Sequence, residues 1–336
     1  MAEPLERFLV KLSVIVPAYN AQGTIAQTLK ALLDQDYSEK FEIIVVDDGS
    51  ADQTADLIRS FATVRYAHQP NAGPACARNH GARLAQGEIL VFTDSDCVPH
   101  KDWLSQLMQG FVEKDVAVVM GSYGIANSEN LLAYCIYKEI LFRHEHLLSD
   151  FPKAFGSYNF CVKRSVFEQV GGFDVSYRNA SGEDNDLSYK IISAGYRIYF
   201  QRKALVDHYH PVQIRKYFKE QFRHGLWRAK IYAQHPLMLK GDGYTFWKDI
   251  VEVPWSLGCM LGIVLSPFGL LPFTSLVCFL FFSFLSFEML FARIMLRDGQ
   301  KEIFWGFIMF LRSFSRAFGL STGILVFLGK KMINKP

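Results

Sequence analysis

The sequence predicts an α/β protein built on a mainly parallel sheet and continued by an apolar helical tail. Over the first 100 residues, short β-branched runs alternate with helical periodicity. Three of those runs end in polar or turn residues: Pro17-Ala18-Tyr19-Asn20, Asp47-Asp48-Gly49 and Asp94-Ser95-Asp96. Between Val253 and Phe287 there is no charged residue, whereas charges are scattered through every earlier segment. Alternating strand and helix give a parallel sheet with helices on both faces, and ligands then bind beyond the carboxyl ends of the strands.

Leu12–Val16 reads as a buried strand ending at Pro17. Thr24 can cap a helix whose apolar stripe is Ile25, Leu29, Leu32 and Leu33. Phe41–Val46 is the second strand, followed by a helix with Leu57, Ile58 and Phe61 on one face. Val64–Ala67 is the third strand, Ala75–Ala85 a helix, and Glu88–Phe92 the fourth strand. Beyond residue 100 the pattern loosens. A helix near Trp103–Phe111 and a strand near Val116–Gly121 precede an aromatic-rich stretch. The acidic turn Gly182-Glu183-Asp184-Asn185-Asp186 leads into a helix at Leu187–Ala194, then a strand at Arg197–Gln201 and a basic helix at Gln213–Ala233.

A net charge of +3 in 336 residues does not argue for a nucleic-acid partner, and none is expected. The six cysteines form no CxxC pair, so neither a zinc framework nor a disulfide scaffold is expected. Met1–Lys11 is short and carries acids, unlike a secretory signal, which favours a cytoplasmic location for the polar part.

A continuous helix from Val253 to Phe287 would be about 52 Å long, too long for a hydrocarbon core of roughly 30 Å. Pro267, Gly269 and Pro272 break it. The expectation is a hairpin with arms at Pro254–Ser266 and Phe273–Phe291. Arg293, Arg297 and Lys301 put its end on the cytoplasmic side. A third segment, Ile303–Leu328, contains Arg312 and Arg316 and reads as an interfacial or re-entrant helix, with a third span as the alternative.

Two carboxylates at i and i+2 just past a strand, Asp94 and Asp96, can converge on a hard divalent cation that also takes diphosphate oxygens. Read locally, they could equally be a solvated turn. Asp47 and Asp48 can accept hydrogen bonds from a nucleobase or ribose, while Ser50 and Asp52 suit a helix start. Arg78 could reach a phosphate or form a surface ion pair.

Taken in order, Ser13-Val14-Ile15-Val16-Pro17-Ala18-Tyr19-Asn20, Val45-Val46-Asp47-Asp48-Gly49-Ser50, Asn71-Ala72-Gly73-Pro74 with Ala77-Arg78-Asn79, and Phe92-Thr93-Asp94-Ser95-Asp96 resemble family 2 glycosyltransferases of the GT-A fold. The resemblance continues through Val170-Gly171-Gly172-Phe173-Asp174 and Gly182-Glu183-Asp184-Asn185-Asp186-Leu187, and covers about residues 10–235. It implies a nucleoside-diphosphate sugar donor, Mn²⁺ or Mg²⁺, and inversion at the anomeric carbon. Pro17, Tyr19, Asp47 and Asp48 would hold the nucleoside, which Asp48 suggests is uridine. Asp94 would touch ribose or metal, and Asp96 would ligate the metal. Asp184 would be the general base and Glu183 its orienting neighbour. Asp186 would be the better helix cap. His208 is preferred over His210 as a third metal ligand.

Gln221-Phe222-Arg223-His224-Gly225-Leu226-Trp227 departs from the QxxRW box of processive members, so one sugar per encounter is expected, with Arg223 a possible diphosphate contact. The aromatic stretch Leu131–Phe160 would form the acceptor side, suited to a lipid or lipid-linked glycan. The implied domains are a catalytic 1–235 (nucleotide half 10–100, acceptor half 101–235), a connection 236–252 and a membrane anchor 253–336. The protein would act at the cytoplasmic membrane face. A nucleotidyltransferase and a non-catalytic membrane scaffold are the alternatives, though the first strand lacks the phosphate loop of the former.

Overall fold

The computed structural model describes residues 11–177, 181–236, 247–265 and 271–333. In chain order the first elements are β1 (Leu12–Ala18), α1 (Ile25–Leu33), β2 (Phe41–Asp47), α2 (Thr54–Arg59), β3 (Val64–His68), α3 (Pro74–Leu84) and β4 (Ile89–Thr93). There follow β5 (Cys97–Pro99), α4 (Trp103–Gln109), β6 (Val116–Ile125), α5 (Leu131–His146), β7 (Asn159–Lys163), α6 (Arg164–Gln169), α7 (Glu183–Ser193) and β8 (Arg197–His208). The last helices are α8 (Ile214–Gln234), α9 (Trp247–Leu265), α10 (Leu271–Leu296) and α11 (Gly299–Ile333).

The chain forms two compact units, residues up to Ala126 with Leu148–Tyr209, and Asn127–Leu147 with His210 onward. The first holds an eight-stranded sheet in the order β3-β2-β1-β4-β7-β6-β8-β5. β3, β2, β1 and β4 are parallel, as their alternation with helices predicts. Ile15 pairs with both Ile44 and Phe92, so the carboxyl ends of these strands form one edge. Val14, Val16, Val45 and Val91 pack with Ile25, Leu29 and Leu32 of α1. Leu33, predicted to share that stripe, faces outward instead.

The other half of the sheet is mixed. β7 is antiparallel to β4 and β6, β8 is parallel to β6, and β5 is antiparallel to β8. β7 was hidden within the aromatic stretch. β8 runs seven residues past the predicted strand end, to His208, because Ala204 and Val206 keep burying apolar side chains. Asn159, fully buried, ties this half together. Its amide donates to the carbonyls of Ser122 and Ala204 at 2.9 Å each and accepts from Trp103 Nε1 at 2.8 Å.

The second unit is helical. Leu132, Cys135 and Ile136 of α5 pack with Phe291, Ala292, Met295, Trp305, Ile308 and Met309. This contact groups α5 and α8 with the tail helices, whereas the sequence division joined them to the catalytic segment. A buried ionic layer crosses the unit. Arg143 makes two 2.8 Å bonds to Asp249, Arg312 donates to Glu139 at 2.6 Å, and Lys248 pairs with Glu252 and Glu288. The predicted hairpin arms correspond to α9 and α10, and the connecting residues 266–270 lie outside the described residues. Residues 247–252, predicted as connection, begin α9. Among the described residues, two stretches are long and apolar enough to cross a membrane, Thr274–Leu296 and Gly299–Phe327.

Candidate active site

The parallel strands end on buried acids. The Asp48 carboxylate accepts hydrogen bonds from Gln69 Nε2 (2.7 Å) and the N–H groups of Ala72 (2.9 Å) and Gly73 (2.8 Å), which clamps the loop between β3 and α3 onto β2. Asp47 accepts from the Ser50 N–H (2.9 Å) and the Tyr66 hydroxyl (3.0 Å). Both carboxylates therefore shape this edge from within. Asp52 accepts from the Thr54 N–H at 3.0 Å just ahead of α2, whose N-cap is Gln53, while Ser50 accepts from the Asn20 N–H. Pro17 is buried in β1, and Tyr19 beyond it is 53% exposed.

Arg78, on α3, is buried, which corrects the surface ion pair considered for it. Its Nη2 lies 2.7 Å from Asp94 and its Nη1 lies 2.9 Å from Glu183. Burial alone would favour a neutral guanidine, but the charges of Asp94 and Glu183 outweigh it and keep Arg78 protonated. Glu183 also accepts from the Ser181 N–H at 2.8 Å. Burial first, and then the charge of Asp184, push the Glu183 carboxyl up to about 7 against the pull of Arg78.

Gly182, with φ at +98°, is the N-cap of α7, so Glu183 and Asp184 fall in the first helical turn. A helix N-terminus favours acids there. Asp186, predicted as the cap, is one turn further in and pairs with Lys190 at 2.7 Å. Asp184 is half-buried, and its Oδ1 accepts from the Asn185 N–H at 2.8 Å. Burial raises its pKa, and that hydrogen bond opposes the rise.

The antiparallel register of β5 and β8 sets Cys97 opposite His208. The Tyr209 N–H donates to the Asp96 carbonyl at 3.0 Å, and the Thr28 hydroxyl donates to the Ser95 carbonyl at 3.1 Å. The acidic turn is thus fixed from two sides. His208 Nε2 lies 3.5 Å from Asp96 Oδ1, and ligand atoms of Asp96, Cys97 and His208 all lie within 4.8 Å of one another. The His208 ring meets Tyr123 edge-on, 5.4 Å between centroids. Burial pushes the Cys97 thiol well above its ordinary value, and the Asp96 carboxylate and the His208 imidazole are the candidate donors.

A carboxylate and an imidazole fit Mn²⁺ and leave positions for diphosphate oxygens. Asp94, predicted beside Asp96 as a ligand, stands outside this group with its Oδ1 on Arg78. His210 lies in the helical unit, as does Arg223 on α8. The aromatic stretch 131–160 is divided between the two units. No local pattern in the sequence marks Arg78 as the partner of Glu183, 105 residues away, or Tyr123 as the neighbour of His208.

Residues 13–171 match the model of Glycosyl transferase family 2. The pre-mycofactocin glycosyltransferase of Mycobacterium tuberculosis is 28% identical over 268 residues, covering 76% of this chain and 55% of that protein. Glycosyltransferase AglE of Haloferax volcanii is 29% identical over 237 residues, covering 68% of this chain and 76% of that protein. The chain spans about half the length of the M. tuberculosis relative. A mannosyltransferase from Pyrobaculum calidifontis, solved in complex with GDP-Man and Mn²⁺, superimposes with a TM-score of 0.63 at 20% identity, over 94% of this chain and 88% of that one. By its ordered motifs, its sheet and these relationships, the chain is similar over residues 13–171 to glycosyltransferase family 2, and its fold is the GT-A fold.

Proposed function

We propose that the protein transfers one sugar, with inversion, from a nucleoside-diphosphate sugar to an acceptor hydroxyl. The observation that carries this reading is the unbroken line from the acidic turn after β4 to the acid pair at the start of α7, joined by Arg78. A donor diphosphate at one end and an acceptor hydroxyl at the other would then share one rigid frame, as an in-line displacement requires.

Asp96 and His208 would hold the divalent cation, Mn²⁺ or Mg²⁺. When bound, it supplies Lewis-acid neutralisation of the charge on the departing nucleoside diphosphate. Asp184 takes the proton from the acceptor hydroxyl on the face opposite the leaving group. The new bond to the anomeric carbon forms as the bond to the phosphate oxygen breaks. Glu183 is fixed by Arg78 and the Ser181 N–H, so it orients, while half-buried Asp184 keeps access to the acceptor. Tyr19 and Pro17 offer the nucleoside a surface. Asp47 and Asp48 shape the loop beside it, and Asp94 turns its remaining oxygen to the ribose. Uridine diphosphate is the first carrier to test.

The acceptor we propose is a lipid or a lipid-linked glycan, because the described residues include two helices apolar enough to enter a membrane. Arg293, Arg297 and Lys301 favour the cytoplasmic face. The test incubates detergent-purified protein with UDP- and GDP-sugars, Mn²⁺ or Mg²⁺, and polyprenyl-phosphate acceptors, and measures released nucleoside diphosphate and the anomeric configuration of the product. Metal-dependent turnover with inversion is expected. Absence of both turnover and metal-dependent nucleotide binding across the panel would sink the proposal.

A further inference from the structure

Gly299–Phe327 is long and apolar enough to cross a bilayer. Its neighbour α8 argues otherwise. The two helices run in the same direction: Tyr217 meets Arg312, Gln221 meets Arg316, Phe222 meets Phe318 and Trp227 meets Phe327. Their backbones touch. A Cβ at Gly225 would collide with the Arg316 carbonyl, and one at Gly319 with the Phe222 carbonyl. So close a seam means that wherever the second half of α11 goes, α8 goes too.

α8 cannot enter hydrocarbon. Its first two turns expose Arg215, Lys216 and Lys219. Cations held on a lipid-facing surface are strongly disfavoured. The two arginines in the middle of α11 are turned inward. Arg312 pairs with Glu139 and Tyr217, and Arg316 with Gln221 and Asp249. The large apolar side chains that α11 leaves outside form a stripe at helical spacing, Ile303, Phe307, Leu311, Phe318 and Leu325, which broadens at its end to Ile324 and Val326. In section, the unit thus passes from a cationic helix, through a buried ionic layer, to an apolar ridge. That order of layers matches a membrane–water interface, not a crossing.

We infer that α11 lies along one face of the bilayer without crossing it, with its apolar ridge in the hydrocarbon of a single leaflet and α8 as its water-facing partner. Both ends of α11 then share one side of the membrane. This inference does not depend on the sugar-transfer reading, and its test needs no activity.

The experiment reconstitutes the full chain into phosphatidylcholine vesicles in a C76S/C278S background, which leaves only the buried native thiols. Single cysteines are introduced as Gln300→Cys, Lys335→Cys, Lys219→Cys and Leu311→Cys and probed with a membrane-impermeant maleimide added outside or trapped inside. Gln300→Cys, Lys335→Cys and Lys219→Cys should label from the same side. Leu311→Cys should lose its labelling in intact vesicles and regain it in detergent. Labelling of Gln300→Cys and Lys335→Cys from opposite sides would establish a span and overturn the inference. Labelling of Leu311→Cys in intact vesicles would equally overturn it, because the ridge would then be in water.

Discussion

Arg78 holds Glu183 in a buried ion pair of 2.9 Å, and its second nitrogen holds Asp94 at 2.7 Å. One guanidinium therefore links the turn after β4 to the first turn of α7. Removing it leaves buried carboxylate charge without compensation, a loss of about 3–5 kcal/mol for pairs of this kind. Arg78→Gln should lower the denaturant midpoint accordingly and abolish transfer. Arg78→Lys keeps the charge but not the fork, so it should regain part of the stability and little of the turnover. Chemical denaturation alongside initial rates checks both, and a fully active, fully stable Arg78→Gln would refute the link.

Asp184→Asn should reduce turnover by roughly 10²–10⁴-fold, the usual contribution of a positioned base. Donor affinity should stay unchanged, because the substitution leaves Asp96 and His208 in place. Calorimetric titration of the nucleotide alongside single-turnover rates separates the two effects. Turnover within a few-fold of the parent would remove Asp184 from the role.

Asp96→Asn and His208→Ala should each weaken the Mn²⁺ dependence of activity, shifting the activating concentration upward. Chelation of the parent should abolish turnover, and Mn²⁺ should restore it. Because imidazole favours Mn²⁺ over Mg²⁺, His208→Ala should narrow the difference between the two ions. An unaltered Mn²⁺ profile in both variants would place the cation elsewhere.

The acid pair also predicts a pH dependence. The folded state holds the Glu183 proton more tightly than the unfolded chain does, with the carboxyl raised from 4.5 to about 7. Its contribution is therefore fully present below about pH 4.5 and is lost as the pH rises toward 7. Glu183→Gln carries no such proton, so its unfolding free energy should lack that component of the slope. Denaturation curves across this range, parent against variant, give the answer.

Asn159→Ala should destabilise the sheet without touching the proposed chemistry. It strands two carbonyls and an indole N–H in the interior, at about 1–3 kcal/mol for each unsatisfied group. A lowered thermal midpoint with unchanged substrate affinity is expected. An Asn159→Asp variant should do no better, because a carboxylate cannot donate to the Ser122 and Ala204 carbonyls.

The parallel half of the fold was legible because β1 and β2 bury short β-branched runs and each is followed by a helix with an apolar face. Asp96 and Asp184 could be singled out by their turns. What stayed hidden depends on distant pairing. Nothing around Asn159 announces a strand antiparallel to β4, since its neighbours are aromatic on every side. Nor does anything local to Arg78 distinguish a surface cation from one enclosed between two acids. The outward turn of Leu33 is a boundary effect, since α1 ends there. The Asp186 cap failed because Gly182, with its left-handed backbone, begins α7 one turn earlier than the apolar pattern suggested.

β5 and β8 meet with Cys97 opposite His208, so the two halves of the proposed cation site come from strands made at widely separated times during synthesis. The proposed nucleotide edge of β1, β2 and β4 can assemble from local contacts as soon as its residues emerge. Asp96 has to wait for β8 to close a long loop, which is the slow, entropically opposed kind of step. A cation on Asp96 and His208 would act as a clasp across that late seam. Its occupancy would report that synthesis and folding of the sheet are finished, and it would stabilise only the completed sheet.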